Sequence, residues 1–375
     1  MNTKKKRIII FAHIPPPYHG ASIMQKYLVD CEWDWCYKES IVLRYSDQIH
    51  QIGSFNLKKG YLLFVTLFRI IKSRFKSRID ICYYPPALTG RLPFYRDLIS
   101  ILLIKMTCEQ IVYHFHAGGA LSFYNRISGL EKLLARRILG NVSFTIALLP
   151  QLVDELKFLN AANYVTIPNG IPDNFNKYKK SNLTEKRVRI LYLGNLLKDK
   201  GIFDLLESVN ILKNFSGDFV VRFVGSWESE SVKKSFYSLI NKYNIEALVE
   251  INPSRTDDSK YQEYADADIF CFPSFYEVEN QPLVLLEAMM FSLPIITTSW
   301  RALPDIISDG EDGLLAPINS PDILAEKLFY LIGNKEERRR LGLNARKKYL
   351  NEYTIEKHLN LMERLFRSIA GEKKW

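Results

Sequence analysis

The 375-residue sequence lacks several features that would assign it to a broad class of protein. No apolar run reaches the roughly 20 residues that a helix needs to cross a bilayer. The five cysteines form neither a C-x-x-C pair nor a cluster with histidine, so the pattern of a zinc site or a disulfide framework is missing. Zinc-finger spacing and the aromatic signature of an RNA-stacking sheet are also missing. These absences favour a cytoplasmic protein with reduced thiols and no nucleic-acid partner.

The positive charge is unevenly distributed along the chain, whose formal net charge is +10. Residues 1–175 hold 22 Lys+Arg against 12 Asp+Glu, whereas residues 176–375 hold 29 of each. A basic half suits an anionic membrane face, a nucleic acid or an acidic substrate. Residues 57–78 interleave bulky apolar and basic residues at roughly helical spacing. This pattern indicates either a helix that lies on a membrane or a surface helix whose apolar stripe packs in the core.

Short β-rich runs alternate with amphipathic stretches, which is typical of parallel sheets covered by helices on both faces. The runs occupy residues 7–11, 79–84, 110–115, 144–149, 189–194, 218–225, 268–273 and 293–298. The sequence therefore predicts an α/β protein with two doubly wound, Rossmann-like domains that face one another across a cleft. A polar stretch at 166–189 favours domains at 1–170 and 171–349. Residues 336–369 form a long amphipathic helical stretch, and a helix at about 350–375 could pack back on the first domain.

Ligands of doubly wound sheets bind beyond the carboxyl ends of the strands, so the loops there are the candidate sites. After the first strand, Gly20 leads into a helix whose free N–H groups suit a phosphate or an oxyanion. After a later strand, His114 and His116 occupy alternate positions, which places both side chains on one face. The structural alternatives are a tight turn at Gly20 and core packing of the histidines. The two histidines could also bind a metal as a pair, but no carboxylate or cysteine third ligand is evident nearby in sequence.

The third candidate loop, within residues 192–209, presents lysines before a helix. Lys198 and Lys200 follow a strand and a glycine, an arrangement that suits phosphates. The alternative is an ordinary exposed loop, where lysine is common.

The fourth candidate is the stretch "YEVENQPLVLLEAMM" at 276–290. An apolar helix with Pro282 in its first turn carries Glu287 in its middle, and Glu279 lies just before it. A buried charge is costly unless it is paired or hydrogen-bonded. Glu287 therefore indicates either a ligand site or a narrow solvated strip along the helix.

Taken together, the four loops resemble those of the retaining glycosyltransferases of family 4, which have the two-domain glycosyltransferase-B fold. Glu279 and Glu287 reproduce the E-x7-E spacing of that family within "PSFYEVENQPLVLLEAM". Supporting segments are "IPNGI" (167–171), "LGNLLKDKG" (193–201) and "DGEDGLLAP" (309–317). The resemblance implies transfer of a sugar from a UDP- or GDP-sugar to a hydroxyl of a glycan or lipid-linked glycan, in cell-surface polysaccharide biosynthesis. It also suggests a cytoplasmic protein that could sit peripherally on an anionic membrane surface.

The resemblance also implies roles for individual residues. Glu279 would contact the donor sugar near its anomeric centre, Glu287 would hold the nucleotide ribose, and Lys200 would bind the diphosphate. His116, rather than His114, would lie at the reaction centre. The remaining donor-binding candidates are Gly20, Gly194, Asn195, Asn280, Gln281, Pro282 and Leu283. No metal or other cofactor is implied, because no acidic D-x-D cluster lies near the proposed diphosphate site.

Two positions depart from the family pattern. Asn195 stands where the family usually has arginine, so part of the diphosphate charge must be met elsewhere, for which Lys198 is a candidate. Ala21 stands where many members have a second glycine. The alternatives to a transferase are a nucleotide-sugar epimerase or a synthase of the same fold. From another class, the alternative is a non-catalytic protein that binds anions or nucleic acid through its basic half.

Overall fold

The structure is a computed structural model of the 375-residue chain. It describes residues 5–43, 57–76, 78–181, 187–215, 218–255 and 258–372. The chain divides into two compact units. The first comprises Met1–Asn169 and Glu356–Trp375, and the second comprises Gly170–Ile355.

The first unit is built on a parallel sheet with the order β2-β1-β3-β4-β5-β6, six strands within the described residues. The strands are β1 (Lys6–Ala12), β2 (Cys36–Val42), β3 (Ile79–Tyr84), β4 (Cys108–His114), β5 (Phe144–Ala147) and β6 (Asn163–Thr166). Its helices include α1 (Gly20–Asp30), α2 (Leu57–Lys76), α3 (Arg91–Thr107), α4 (Ala120–Arg126) and α5 (Gly129–Leu134). A π-helix (Ala135–Leu139) and a 3-10 helix (Pro150–Leu159) complete this part of the chain.

The second unit repeats the plan, with the described strands in the order β12-β11-β10-β7-β8-β9. They are β7 (Val188–Leu193), β8 (Phe219–Val224), β9 (Val249–Asn252), β10 (Ile269–Phe272), β11 (Ile295–Thr298) and β12 (Gly313–Ala316). The helices are α6 (Ile202–Leu212), α7 (Glu230–Tyr243), α8 (Lys260–Asp266), α9 (Leu283–Met290), α10 (Leu303–Ile306), α11 (Pro321–Gly333) and α12 (Lys335–Glu352). All strand pairs in both sheets are parallel, which confirms the predicted α/β class with two doubly wound sheets.

The last helix, α13 (Ile355–Ile369), belongs almost wholly to the first unit. Met362, Leu365 and Phe366 are buried in the same hydrophobic cluster as residues of β1 and β3, such as Ile8 and Ile81. The amphipathic pattern of this helix is therefore explained by the core that it covers.

The helical stretch predicted at 336–369 consists of two helices, because α12 ends at Glu352 and α13 begins at Ile355. At the break, the N–H of Ile171 donates to the carbonyl of Tyr353 at 2.9 Å, and the N–H of Ile355 donates to the carbonyl of Ile171 at 3.0 Å. These bonds to Ile171 use backbone groups that a continuous helix would need for itself.

Each sheet has one point at which the strand order reverses, and it determines where loops gather. In the first sheet the reversal lies between β1 and β3, and in the second it lies between β7 and β10. The loops that follow two such strands leave in opposite directions, so a crevice opens between them. Functional side chains are expected on these loops. No helix of the described residues is long and apolar enough to cross a membrane.

Candidate active site

Glu279 lies in the loop after β10, and it is almost fully buried, with 7% of its surface exposed. Its carboxylate contacts the ammonium group of Lys200, the last residue of a short 3-10 helix (Lys198–Lys200) after β7. The hydroxyl of Ser274 donates to the same carboxylate at 2.9 Å. The lysine nitrogen also lies 4.8 Å from the centre of the Tyr276 ring. An ion pair is thus enclosed at the β7/β10 reversal, within loops that the sequence had singled out.

Gly201 allows the loop after β7 to contact the loop after β10. Gly201 has φ 75°, a left-handed conformation that side chains disfavour. A Cβ at this position would overlap the carbonyl oxygen of Pro273, at the end of β10. The N–H of Phe275 donates to the carbonyl of Asp199 at 2.8 Å and fastens the loops together. Gly201 therefore fixes the approach of the Lys200 loop to the Glu279 loop.

Glu287 lies in the second turn of α9 and is 3% exposed. The ammonium nitrogen of Lys260 lies 2.5 Å from one carboxylate oxygen, and the hydroxyl of Tyr264 donates to the other at 2.8 Å. Lys260 and Tyr264 are one turn apart on α8, so both face α9. Burial, together with the charge of Glu287, raises the pKa of the Tyr264 hydroxyl well above its usual range. The charge in the apolar helix is thus paired inside the protein.

The start of α9 differs in detail from the expectation. Leu283 is the first helical residue, so Pro282 occupies the N-cap position and does not lie in the first turn. No side chain caps the helix there. Asn280 and Gln281 are buried, and Oδ1 of Asn280 has no hydrogen-bond partner among the described residues. A buried, unsatisfied amide oxygen beside Glu279 is a feature that a ligand donor would explain.

At the end of β7, Gly194 has φ 154° and its N–H donates to the carbonyl of Val224 at 3.0 Å. The carbonyl of Asn195 accepts a bond from the hydroxyl of Tyr192 at 2.9 Å. Lys198 is exposed on its loop, and no described contact brings it to either glutamate. Arg301, in contrast, donates from Nε to the backbone carbonyl of Glu279 at 3.2 Å. The basic group found beside Glu279, in addition to Lys200, is therefore Arg301.

The first unit contains a separate group of histidines around Tyr83 of β3. The Tyr83 hydroxyl lies 3.0 Å from Nδ1 of His114 and 3.2 Å from Nε2 of His116. Because a hydroxyl carries one proton, it donates to one ring and accepts from the other. Nδ1 of His358, on α13, lies 2.6 Å from the carbonyl oxygen of Pro168. His114 and His116 do share one face, with ring centres 4.0 Å apart.

Burial keeps these histidines neutral. Removal from water, reinforced by the neighbouring His358, lowers the pKa of His116 to about 3. The pKa of His114 is also well below its usual range, mainly because of burial. Nδ1 of His116 and Nε2 of His114 have no hydrogen-bond partner among the described residues. His116 is the more accessible of the two rings, because His114 is buried and His116 is partly exposed.

Gly20 is the first residue of α1, as its position after β1 predicts. The helix is closed by its own capping box, in which Nδ1 of His19 accepts from the N–H of Ser22 at 3.2 Å. The Ser22 hydroxyl in turn donates to the carbonyl of Pro17 at 2.8 Å. The backbone N–H of Ser22, in the first turn of α1, is thus already hydrogen-bonded to a side chain.

Several site residues were not found from the sequence: Ser274, Lys260, Tyr264, Arg301, Tyr83 and His358. The spacing of Lys260 and Tyr264, one helical turn apart, was the available signal for that pair. Nothing in the local sequence places them against Glu287, since that contact depends on how α8 and α9 pack. Within the described ranges, no group of three or more His, Cys, Asp or Glu side chains could hold a metal ion.

The two doubly wound units define a protein with the glycosyltransferase-B fold. The structure is similar to that of sucrose-phosphate synthase from Thermosynechococcus elongatus, with a TM-score of 0.73, 18% identity, and coverage of 98% of this chain and 100% of that one. It is also similar to Anabaena HepE in complex with UDP-glucose, with a TM-score of 0.69, 15% identity, and coverage of 96% and 99%.

In sequence, residues 173–348 match the family model described as "Glycosyl transferases group 1". This range is just under half of the chain, and it contains Lys200, Lys260, Glu279 and Glu287. The capsular polysaccharide biosynthesis glycosyltransferase CapM of Staphylococcus aureus is 27% identical over 216 residues, which cover 55% of this chain and 54% of CapM. The chain spans less than half the length of two further curated glycosyltransferases that it matches.

Proposed function

We propose that the protein is a retaining, metal-independent glycosyltransferase of family 4. It would transfer a sugar from a nucleotide-diphosphate sugar to a hydroxyl of a glycan or lipid-linked glycan. The observation that carries this proposal is the pair of buried carboxylates, Glu279 and Glu287, each compensated by a lysine at the carboxyl edge of the second sheet. They lie in the range that matches the glycosyltransferase model.

The second unit would bind the donor through both carboxylates. Glu287 would accept hydrogen bonds from the two ribose hydroxyls, because each of its oxygens has a lone pair beyond the one used by Lys260 or Tyr264. Glu279 would accept from the hydroxyls of the sugar ring. Buried carboxylates gain most from such bonds, since little water competes for them.

The diphosphate would lie near Lys200, with backbone groups of Gly194, Asn195 and the α9 N-terminus around it. The ammonium of Lys200 has three donors, so it can bind a phosphate oxygen without leaving Glu279. Arg301 would supply the positive charge that Asn195 cannot provide. Catalysis would consist mainly of positioning the reactants and stabilising the leaving diphosphate.

In the first unit, His116 would serve as a neutral hydrogen-bonding group beside the reacting sugar. A pKa of about 3 means that its ring carries no charge near neutral pH. It would therefore orient a hydroxyl group and would not supply a positive charge. Gly20, at the start of α1, would allow a phosphate or sugar to approach the helix backbone closely.

We further propose a role in cell-surface polysaccharide biosynthesis at the cytoplasmic face of the membrane. The similarity to CapM, a glycosyltransferase of capsular polysaccharide biosynthesis, supports this role, and the complex of HepE with UDP-glucose supports a UDP-sugar as the first donor to test. A GDP-sugar is the second donor to test.

The proposal can be tested by thermal shift with UDP, GDP and their sugars on the wild type and on Glu287→Gln. One nucleotide should raise the Tm of the wild type and leave that of Glu287→Gln unchanged. Glu277→Gln is the matched control, because Glu277 is exposed in the same segment, and it should retain the full shift.

A transfer assay with the stabilising sugar nucleotide then tests the reaction, and the anomeric configuration of the product tests retention. The proposal is wrong if no nucleotide stabilises the wild type, or if Glu287→Gln responds as the wild type does. A product of inverted configuration would overturn the retaining assignment alone.

A further inference from the structure

Among the described side chains of α2, those exposed to solvent are more apolar than those that are buried. Its described exposed apolar residues fall on one stripe at helical spacing: Tyr61, Phe64, Phe68, Ile71 and Phe75. Phe64 is 67% exposed and Phe75 is 86% exposed. The described buried residues on the opposite side, Thr66, Ile70 and Ser73, are mostly polar. Of the two alternatives for this helix, an apolar stripe packed in the core disagrees with the exposure of these described residues.

A second stripe of the same kind runs along α3. Exposed apolar side chains recur every three or four residues: Leu92, Tyr95, Ile99, Leu102 and Met106. Leu130 and Leu133 on α5 are also exposed. Single exposed apolar residues are ordinary, but contiguous stripes on neighbouring helices indicate a surface that binds something apolar.

The helices that carry these stripes lie side by side. The chain passes from β2 to β3, from β3 to β4 and from β4 to β5 in one direction across the sheet. Right-handed crossovers in one direction place their helices on the same face of a parallel sheet. Direct packing of α2 on α3, of α3 on the π-helix, and of α5 on the π-helix agrees with this. We call this layer of α2, α3, α5 and the π-helix the α2–α3 face.

The described exposed charges of this face are positive. In sequence, α2, α3, α5 and the π-helix carry six, three, one and two Lys+Arg, and they carry only two acidic residues, Asp97 and Glu131. Both acidic side chains are buried, and they bond to Arg96 and to Tyr95, respectively. Exposed basic residues include Arg69, Lys72, Arg91, Arg136 and Arg137. The described surface of these helices is thus apolar and cationic.

We propose that the α2–α3 face docks on an anionic lipid surface, with the aromatic stripe of α2 inserted among the headgroups. Exposed aromatic rings flanked by lysine and arginine are the composition of a helix that lies in a membrane interface. A second copy of the chain fits less well, because self-association would bring two cationic faces together. This proposal extends the lipid-linked acceptor of the proposed function, but binding to lipid requires neither a donor nor catalysis.

The test is co-sedimentation of the full chain with vesicles of neutral phosphatidylcholine and with vesicles containing about one third phosphatidylglycerol. The partition coefficient should be on the order of tenfold or more higher for the anionic vesicles, and it should fall as salt is added. A double variant, Phe64→Ser with Phe68→Ser, should lower binding to anionic vesicles by on the order of tenfold or more.

The matched control is Phe215→Ser with Phe329→Ser in the second unit. These side chains are 69% and 49% exposed, against 67% and 58% for Phe64 and Phe68. The control variant should bind vesicles like the wild type. Both variants should keep the thermal shift with nucleotide, which shows that the fold of each survives the change.

Equal binding to neutral and anionic vesicles, or equal loss in both double variants, would overturn the proposal. So would a wild-type dimer in light scattering that the Phe64/Phe68 variant abolishes while neither protein binds vesicles. Glu287→Gln should bind vesicles normally, so a failure of lipid docking and a failure of the donor assignment give different results.

Discussion

Lys260 and Glu287 form a buried ion pair, with side chains that are 16% and 4% exposed and 2.5 Å between nitrogen and oxygen. This contact explains how the apolar helix α9 can carry a buried carboxylate. The expected alternative of a solvated strip along α9 is wrong, because Glu287 and its neighbours Leu285, Leu286 and Ala288 are buried. The protein itself compensates the charge, so the carboxylate is paired and oriented before a ligand arrives.

Replacing Lys260 by methionine should therefore destabilise the protein by about 3 kcal/mol, since breaking a buried pair leaves an uncompensated charge. Removing both partners, in Lys260→Met with Glu287→Leu, should cost less than Lys260→Met alone. Urea unfolding of the two single variants and the double variant measures this. Additive losses in the double variant would show that the two side chains are not coupled.

The same lysine should matter for the proposed donor site. Without it, the Glu287 carboxylate loses the cation that compensates its charge and fixes its orientation, so it is less well placed to accept hydrogen bonds from a ligand. We expect Lys260→Met to weaken nucleotide binding by about tenfold, and Lys260→Arg to keep most of it because the charge remains. Calorimetric titration with the nucleotide that stabilises the wild type decides between these outcomes.

Lys200 and Lys198 provide a matched pair within one short helix. Lys200 is largely buried and contacts Glu279, whereas Lys198 is exposed. If Lys200 stabilises the leaving diphosphate, Lys200→Met should lower kcat by about 100-fold or more, the usual effect of losing one such donor. Lys198→Met should change it less than about twofold. Similar losses in both variants would mean that the loop contributes only general positive charge.

The close contact between the loop after β7 and the loop after β10 predicts that two glycines with the same φ angle differ in the cost of their substitution by alanine. Gly201 and Gly310 both have φ 75°, but a Cβ meets the Pro273 carbonyl at Gly201 and open space at Gly310. Gly310→Ala should cost about 1–2 kcal/mol for the left-handed backbone alone. Gly201→Ala should cost clearly more, because a loop must also move. Equal decreases in Tm would show that the close approach at Pro273 is not tight.

The strands that the sequence predicts and those that it misses differ in their place in the sheets. All eight predicted runs correspond to strands, and the four missed strands, β2, β6, β9 and β12, are the edges of the two sheets. Edge strands have one neighbour and a partly exposed surface, so they need no continuous apolar run. β2 contains Lys38 and Glu39, and no residue of β9 is buried. Their assignment depends on a partner strand, which the local sequence does not encode.

The residues of the candidate site also fall into two groups, those that the local sequence indicates and those that it does not. Glu279, Glu287 and Lys200 could be selected because their loops and spacing are local features of the chain. Lys260 lies 27 residues before Glu287 and Arg301 lies 22 residues after Glu279. Only the packing of α8 on α9 and the path of the loop after β11 bring these residues to the carboxylates. Long-range contacts of this kind determine the electrostatics of the site.

The histidines of the first unit whose pKa is lowered predict how stability depends on pH. Burial lowers the pKa of His13 and His116 to about 3 and that of His358 to about 4, and the pKa of His114 lies well below its usual range. In the unfolded chain these groups would bind protons near pH 6.5. Between pH 6.5 and about 4 the unfolded state therefore binds more protons than the folded state does.

The histidines should consequently make their full contribution to stability above pH 6.5. Below that pH the free energy of unfolding should fall, by up to about 1.4 kcal/mol per pH unit for each histidine. Thermal melts between pH 7.5 and 5 test this before most carboxylates titrate. His358→Gln removes one titrating group and should make the slope shallower, whatever its effect on the Tm at pH 7.5. An unchanged slope would mean that His358 takes up its proton in the folded protein as readily as in the unfolded chain.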